Sequence, residues 1–395
     1  MFNILVSFLI LFVGGVVVGK LVEKIYLPKL IGMIAFGCLA NVYLKIIDPV
    51  AIEFGGVLKN LALVVVLLIA GLGIRKKQIK KVGRAAVLLS LIPVSVEGFT
   101  VMFLSIKILG LPTIQAGILG FIIAAVSPAV LVPAMVDLIK RGLGEKKAIP
   151  QMLLTGASAD DSVAIAMFTS FMGMYFGTSG GIFKNLIAIP ISTVVGVVVG
   201  ILVAVIAGEI SKKIKSEIFQ TILVGGLAIG MRIIETTYHL KYFNSLLGIM
   251  VIGYVITNYY EWLGNNIMDG LGKAWSVGAV FLFTLVGTAI NPSLVGNIFF
   301  IGSMIVFISL IVRSIGVLIA LIGTDLNLKE RLFCVIAYLP KATVQSAKAG
   351  IPLQMGVVGG ELIQAMAILS VIITAPIGAI GIRLSADKLL EKKID

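Results

Sequence analysis

Read for hydropathy alone, the chain is a succession of long apolar runs separated by short charge clusters or by Gly, Pro and Asn. About thirteen runs can be marked, at roughly 2–19, 28–47, 57–74, 84–107, 113–137, 148–176, 184–207, 217–237, 243–260, 273–290, 294–323, 330–350 and 358–382. At a rise of about 1.5 Å per residue, about 20 apolar residues cross the hydrocarbon core of a bilayer. The pattern therefore predicts an all-α polytopic membrane protein of about 13 transmembrane helices. Several runs are longer than a perpendicular crossing needs, which predicts tilt or interruption. The first run resembles a signal-peptide core. It lacks a basic start and a small-residue cleavage site ahead of Lys20, so it reads as a retained helix.

Composition agrees. Of 395 residues, 59% are hydrophobic and 13% charged, and the mean hydropathy is +1.13. A soluble domain has about 45–50% apolar and about 25% charged residues, so a soluble enzyme and a disordered chain are both excluded. The net charge of +13 reads as topology rather than as nucleic-acid binding, because Lys and Arg collect in cytoplasmic loops. With the N-terminus outside, 23 basic residues fall on the inner connections and tail and seven on the outer ones. That predicts a cytoplasmic C-terminus and a plasma or inner (cell) membrane location. Trp262 and Trp275 read as anchors flanking a short inner loop, and Gly177–Gly181 as an external turn. His239, the single histidine, reads as a solvated outer residue. Cys38 and Cys334 sit within apolar runs and offer no disulfide framework. No phosphate-cradling loop, metal-ligand cluster or nucleophile triad is visible, so neither an enzyme nor a cofactor is expected.

Five charges remain deep in apolar sequence: Glu97, Asp160, Asp161, Arg313 and Lys341. Each costs about 2.5–3.5 kcal/mol at a helix centre on insertion scales, unless paired or facing a wet cavity. Two ion pairs would leave one carboxylate over, a surplus that a cation or proton can neutralise. The aspartates lie in Thr155-Gly156-Ala157-Ser158-Ala159-Asp160-Asp161-Ser162. Adjacent helical residues project about 100° apart, so the two carboxylates can flank one cavity edge without sharing a direction. So close in low dielectric, one of them should keep a proton unless a metal ion intervenes. Two runs also carry proline at mid-depth: Val126-Ser127-Pro128-Ala129-Val130-Leu131-Val132-Pro133, and Tyr338-Leu339-Pro340-Lys341-Ala342-Thr343-Val344-Gln345. Proline removes a backbone donor and frees a carbonyl one turn back. Unwound backbone at that depth persists where it lines a cavity or is buried in protein.

The breaks fall in the fifth and twelfth runs, and Glu97 and Arg313 in the fourth and eleventh. Both separations are seven, and seven crossings reverse orientation. This predicts a single transmembrane domain of inverted six-helix repeats, about 1–176 and 217–382, joined by a linker helix at about 184–207. Two broken helices would cross near the midplane.

At these residues the chain resembles the monovalent cation/proton antiporters of the sodium/hydrogen exchanger superfamily, in particular the paired-aspartate branch. The likeness runs through Leu27-Pro28-Lys29-Leu30-Ile31-Gly32-Met33, Ala70-Gly71-Leu72, Val126-Ser127-Pro128-Ala129-Val130, Ala159-Asp160-Asp161 and Pro340-Lys341-Ala342-Thr343-Val344-Gln345. The Asn-Asp and Thr-Asp-Pro of other branches are absent. The resemblance implies Asp161 as the principal ion and proton carboxylate. Asp160 would be its partner, salt-bridged to Lys341 when no cation is bound. Ser127, carbonyls freed near Pro128 and the Thr155 hydroxyl would complete an oxygen shell for sodium or lithium at Asp161 and Asp160. Glu97 and Arg313 would form a structural or gating pair. It also implies a homodimer whose six-helix core moves like an elevator.

The implied activity is exchange of a monovalent cation, sodium foremost and lithium possible, for protons by alternating access. Potassium/proton exchange and sodium-coupled organic-anion symport are the alternatives. A channel does not need a mid-membrane lysine, and an intramembrane aspartyl protease needs carboxylates that face each other. Proton release from Lys341 on sodium binding would make the exchange two-for-one and electrogenic.

Overall fold

The computed structural model describes residues 2–24, 28–74, 76–176, 182–238, 240, 242–290 and 292–392. His239 and the Gly177–Gly181 turn lie outside them. The described chain is nearly all helical: α1 (Phe2–Lys24), α2 (Lys29–Cys38, extended by a π-helical turn Leu39–Tyr43), α3 (Pro49–Leu72), α4 (Lys76–Ile108), α5 (Thr113–Ile123), α6 (Pro128–Arg141), α7 (Ile149–Tyr175), α8 (Ile182–Ser211), α9 (Glu217–Thr237), α10 (Ser245–Tyr259), α11 (Glu261–Thr288), α12 (Pro292–Ala320), α13 (Leu328–Ala337), α14 (Thr343–Lys348), α15 (Ile351–Gln354) and α16 (Gly360–Leu389). Among the described residues, nine segments are long and apolar enough to cross a membrane, the α5–α6 stretch Thr113–Arg141 being one of them. The shorter apolar segments Lys29–Tyr43 and Ser245–Tyr259, with α7 and the interrupted α13–α14, account for the remaining runs.

The helices overrun the hydropathy limits where charged residues favour helix. α1 continues through Lys20 to Lys24, and α4 begins at Lys76, well before the apolar run. Lysine is a good helix former and its stem can snorkel to the interface. The loop expected between Trp262 and Trp275 is absent, because α11 is continuous from Glu261 and both indoles lie on it. Its polar first turns hide an apolar stripe, Leu263, Ile267 and Leu271, buried at a spacing of four.

Two bundles result. In one, α4, α5, α6, α7, α12, α13, α14 and α16 pack on one another; in the other, α1, α2, α3, α9, α10 and α11 do so. α8 lies against α7 on one side and against α9 and α10 on the other, and α3 meets α6. Glycine sets the α3–α10 crossing: a Cβ on Gly71 would lie 2.0 Å from the Met250 oxygen, and one on Gly253 2.4 Å from that of Leu68. Such close backbone approach is how helices associate where lipid supplies no hydrophobic drive. Elsewhere large apolar side chains are exposed, among them Leu5, Val194, Ile218 and Phe300, as a lipid-facing surface requires.

Candidate ion-binding site

The first bundle is built around two interrupted helices. α5 is apolar and buried over Gln115–Ile123. It cannot continue past Ala124, because Ser127 precedes a proline and takes an extended backbone, φ −90° and ψ 108°. Pro128 then starts α6 at a position where its missing N–H costs nothing. Pro133, expected to share in the break, lies inside α6, which stays helical through it to the left-handed Gly142. The second interruption has the same origin. α13 opens on a capping box between Asn327 and Glu330 and ends at Tyr338; Leu339 precedes Pro340, and helix resumes at Thr343. The interruptions touch, the Ser127 amide donating to the Pro340 carbonyl at 2.8 Å.

α7 carries the aspartates past this crossing without a break. Glu97 on α4, Asp160, Arg313 on α12 and Lys341 are fully buried, and Asp161 is 3% exposed. The Arg313 fork spans two carboxylates: Nη1 is 2.6 Å from Glu97 Oε2 and Nη2 is 3.1 Å from Asp160 Oδ2. It also donates to two carbonyls, Tyr338 O from Nε at 2.7 Å and Ala124 O from Nη1 at 2.5 Å. Lys341 Nζ donates to Glu97 Oε2 at 2.6 Å and Ala124 O at 3.1 Å. The Val126 amide completes Asp160 Oδ2 at 2.9 Å.

The structure thus brings Glu97 and Arg313 together and corrects the other expected pair. Asp160 is bridged by Arg313, and Lys341 is held by Glu97. The reason lies in the shapes of the cations. A planar guanidinium presents separate donors to two carboxylates, whereas an ammonium is a point charge that settles on the nearest acceptors. The Thr155 hydroxyl donates to the Gln151 carbonyl at 2.8 Å, one turn back along α7, which leaves its oxygen lone pairs free to accept.

The carbonyls freed at the first break lie within hydrogen-bond distance of donors from elsewhere in the cluster. Ala124 O receives both cations. The carbonyl oxygens of Ile122, Ile123 and Ala125 lie 3.0, 3.1 and 2.9 Å from Gln345 Nε2 and share its two N–H donors. The oxygens left without a hydrogen-bond partner include Asp160 Oδ1, Asp161 Oδ1, Ser127 Oγ and Thr343 Oγ1, all buried. Buried acceptors of this kind are costly unless a proton or a cation meets them. Three carboxylates against two cations leave a net charge of −1, and among the described residues Asp161 is the member of the five without an ion pair. Among the described residues, no group of three or more His, Cys, Asp or Glu side chains could hold a resident metal ion.

Sequence reasoning assigned no role to Gln345, to the Val126 amide or to Asn244. Asn244 caps α10 through Leu247 N and donates to Ser162 Oγ at 2.6 Å, beside Asp161. Only the Gln345 side chain had a visible signal, as an amide deep in an apolar run. The other contacts depend on tertiary approach.

Residues 8–386 match the family model described as "Sodium/hydrogen exchanger, transmembrane". The human protein called sodium/hydrogen exchanger 9B2 is 31% identical over 99% of this chain and 75% of its own length. The bison protein of the same name is 32% identical over 99% and 76%. Among solved structures, the sodium proton antiporter MjNhaP1 from Methanocaldococcus jannaschii superposes with a TM-score of 0.79 at 21% identity, covering 98% of both chains.

Proposed function

We propose, for a chain that belongs to the transmembrane sodium/hydrogen exchanger family and so is a membrane transporter exchanging a monovalent cation for protons, that the cation is sodium, with lithium able to replace it, and that the exchange takes place at Asp161 and Asp160. The relatives named as sodium/hydrogen exchangers support sodium over potassium. The observation that carries the site is the set of buried, unpartnered oxygens on Asp160, Asp161 and Ser127, next to a charge cluster one positive charge short of neutrality. Sodium arriving from one side displaces protons from the carboxylates; protons arriving from the other displace sodium. An empty, ionised site would carry an uncompensated charge through low dielectric, which disfavours moving it unloaded.

In this reading the bundle holding α4–α7, α12–α14 and α16 moves against the other. The chain works as a homodimer of inverted six-helix repeats in a plasma or inner membrane, its N-terminus outside and its C-terminus cytoplasmic. Lys341 enters the charge balance through Glu97. Release of its proton during sodium binding would leave Arg313 to neutralise Glu97, which gives a route to two protons per sodium. The test is reconstitution into proteoliposomes with a pH-sensitive dye, adding sodium, lithium and potassium in turn to wild type and Asp161→Asn. Sodium and lithium are expected to release protons in wild type only. A variant that retains full exchange, or exchange driven best by potassium, overturns the assignment.

A further inference from the structure

The carbonyl end of α5 points into the charge cluster, and every oxygen from Ile122 to Ala125 has a donor. Ala124 O is met by two cations, whereas the other three are met by one neutral side chain, that of Gln345. The division has an electrostatic consequence. The last carbonyls of a helix carry about half a negative charge, and leaving three of them unpaired in a dry interior would be costly. A third buried cation would satisfy them too, but it would bring the cluster to neutrality and remove the surplus negative charge that attracts the transported ion. A primary amide supplies donors without charge.

Gln345 is fully buried and stands on α14, beyond the second interruption. Its bonds therefore tie one broken helix to the end of the other, over more than two hundred residues of sequence. The backbone it holds leads directly into Val126, whose amide fixes Asp160, and Ser127, whose amide fixes Pro340. Holding Ala125 in place thus holds the neighbouring backbone that orients Asp160 and the Ser127 hydroxyl.

We propose that Gln345 is a positioning residue of the ion site: by sharing its two N–H donors among three carbonyls at the end of α5 it competes with the cation for those oxygens and sets the width of the cavity between the two breaks, and with it the preference among alkali ions. With the carbonyls engaged, the cation meets side-chain oxygens, a small shell suited to a small ion. Released carbonyls would add ligands and let the cavity relax, which favours the larger ions.

This inference rests on Asp160 and Asp161 being the ion site. The experiment therefore runs Gln345→Met, which keeps the bulk and loses the donors, and Gln345→Asn, which keeps the amide on a shorter stem, beside Asp161→Asn. Exchange in proteoliposomes is measured against sodium, lithium and potassium concentration. Gln345→Met is expected to raise KM for sodium about tenfold, the scale of one or two lost buried hydrogen bonds. It should lower the ratio of lithium to potassium transport and leave kcat within about twofold; Gln345→Asn should fall between it and wild type. A folded variant with unchanged KM and ion preference, or one that loses kcat alone, overturns the inference. Should Gln345→Met fail to fold, Gln345→Asn decides on the same criteria. Full exchange by Asp161→Asn would instead overturn the site itself, so the two failures are distinguishable.

Discussion

The two interrupted helices look alike in sequence, each a proline in the middle of an apolar run, yet they play opposite chemical parts. The α5–α6 break contributes mostly acceptors: four carbonyls from Ile122 to Ala125 receive hydrogen bonds from elsewhere. The α13–α14 break contributes mostly donors, through Lys341 Nζ and the Gln345 amide. They are cross-linked once in the reverse sense, from the Ser127 amide to Pro340 O. One break alone would leave an unpaired negative helix end; the other alone would leave an unpaired cation. Glu97 and Arg313, on the intact helices α4 and α12, tie the acceptors and donors into one cluster. The pairing explains how backbone can be unwound at membrane depth without orphaning its polar groups.

The largest expected effect comes from removing the acceptor both cations share. Glu97→Gln leaves Arg313 with Asp160 as its one charged partner beside two carbonyls, and Lys341 with a carbonyl and no carboxylate. Breaking a buried ion network costs about 3–5 kcal/mol, so thermal unfolding in detergent should show a large drop in Tm. A Tm within a degree or two of wild type would mean that the breaks are not coupled through Glu97. Next, Arg313→Met and Lys341→Met separate the two donors. Arg313 makes four contacts in the cluster and Lys341 two, so the arginine variant should lose more stability. The reverse order would contradict the geometry. Lys341→Gln should also reduce the charge moved per sodium in current recordings, and undiminished charge would exclude the lysine from the proton count.

A smaller effect is expected on the donor break. Thr374 Oγ1 accepts the Lys341 amide at 2.9 Å inside the core, and Thr374→Val should cost about 1 kcal/mol and weaken sodium exchange more than it changes yield. The smallest is expected at Pro133. Because α6 remains helical there, Pro133→Ala should leave exchange within about twofold and should not lower Tm, since it restores a backbone donor. A substantial loss would show that Pro133 belongs to the break after all.

The helical class and the five buried charges were legible because hydropathy and isolated charge are local properties of the chain. So were both break points, since Ser127-Pro128 and Leu339-Pro340 act on their own backbones. Pairing was not. Whether Asp160 meets Lys341 or Arg313 depends on which donor reaches it across four helices, and no spacing along the chain encodes the reach of a guanidinium fork. Pro133 shows the converse limit, as identical residue chemistry breaks a helix at its start and is absorbed in its interior. The missing loop before Trp275 has a third cause. Glu261, Asn265 and Asn266 read as loop, while the buried stripe at Leu263, Ile267 and Leu271 settles the segment as helix through tertiary packing.

In the proposed exchange, protons and sodium compete for the same carboxylates. Calorimetric titration of the purified protein with sodium, in buffers of different ionisation enthalpy and across the acid to alkaline range, reads proton release per bound ion directly. Sodium affinity should weaken as pH falls, binding should release protons into the buffer, and both signals should vanish in Asp161→Asn. Sodium binding with an affinity independent of pH and no proton release, or binding that survives intact in Asp161→Asn, would contradict it.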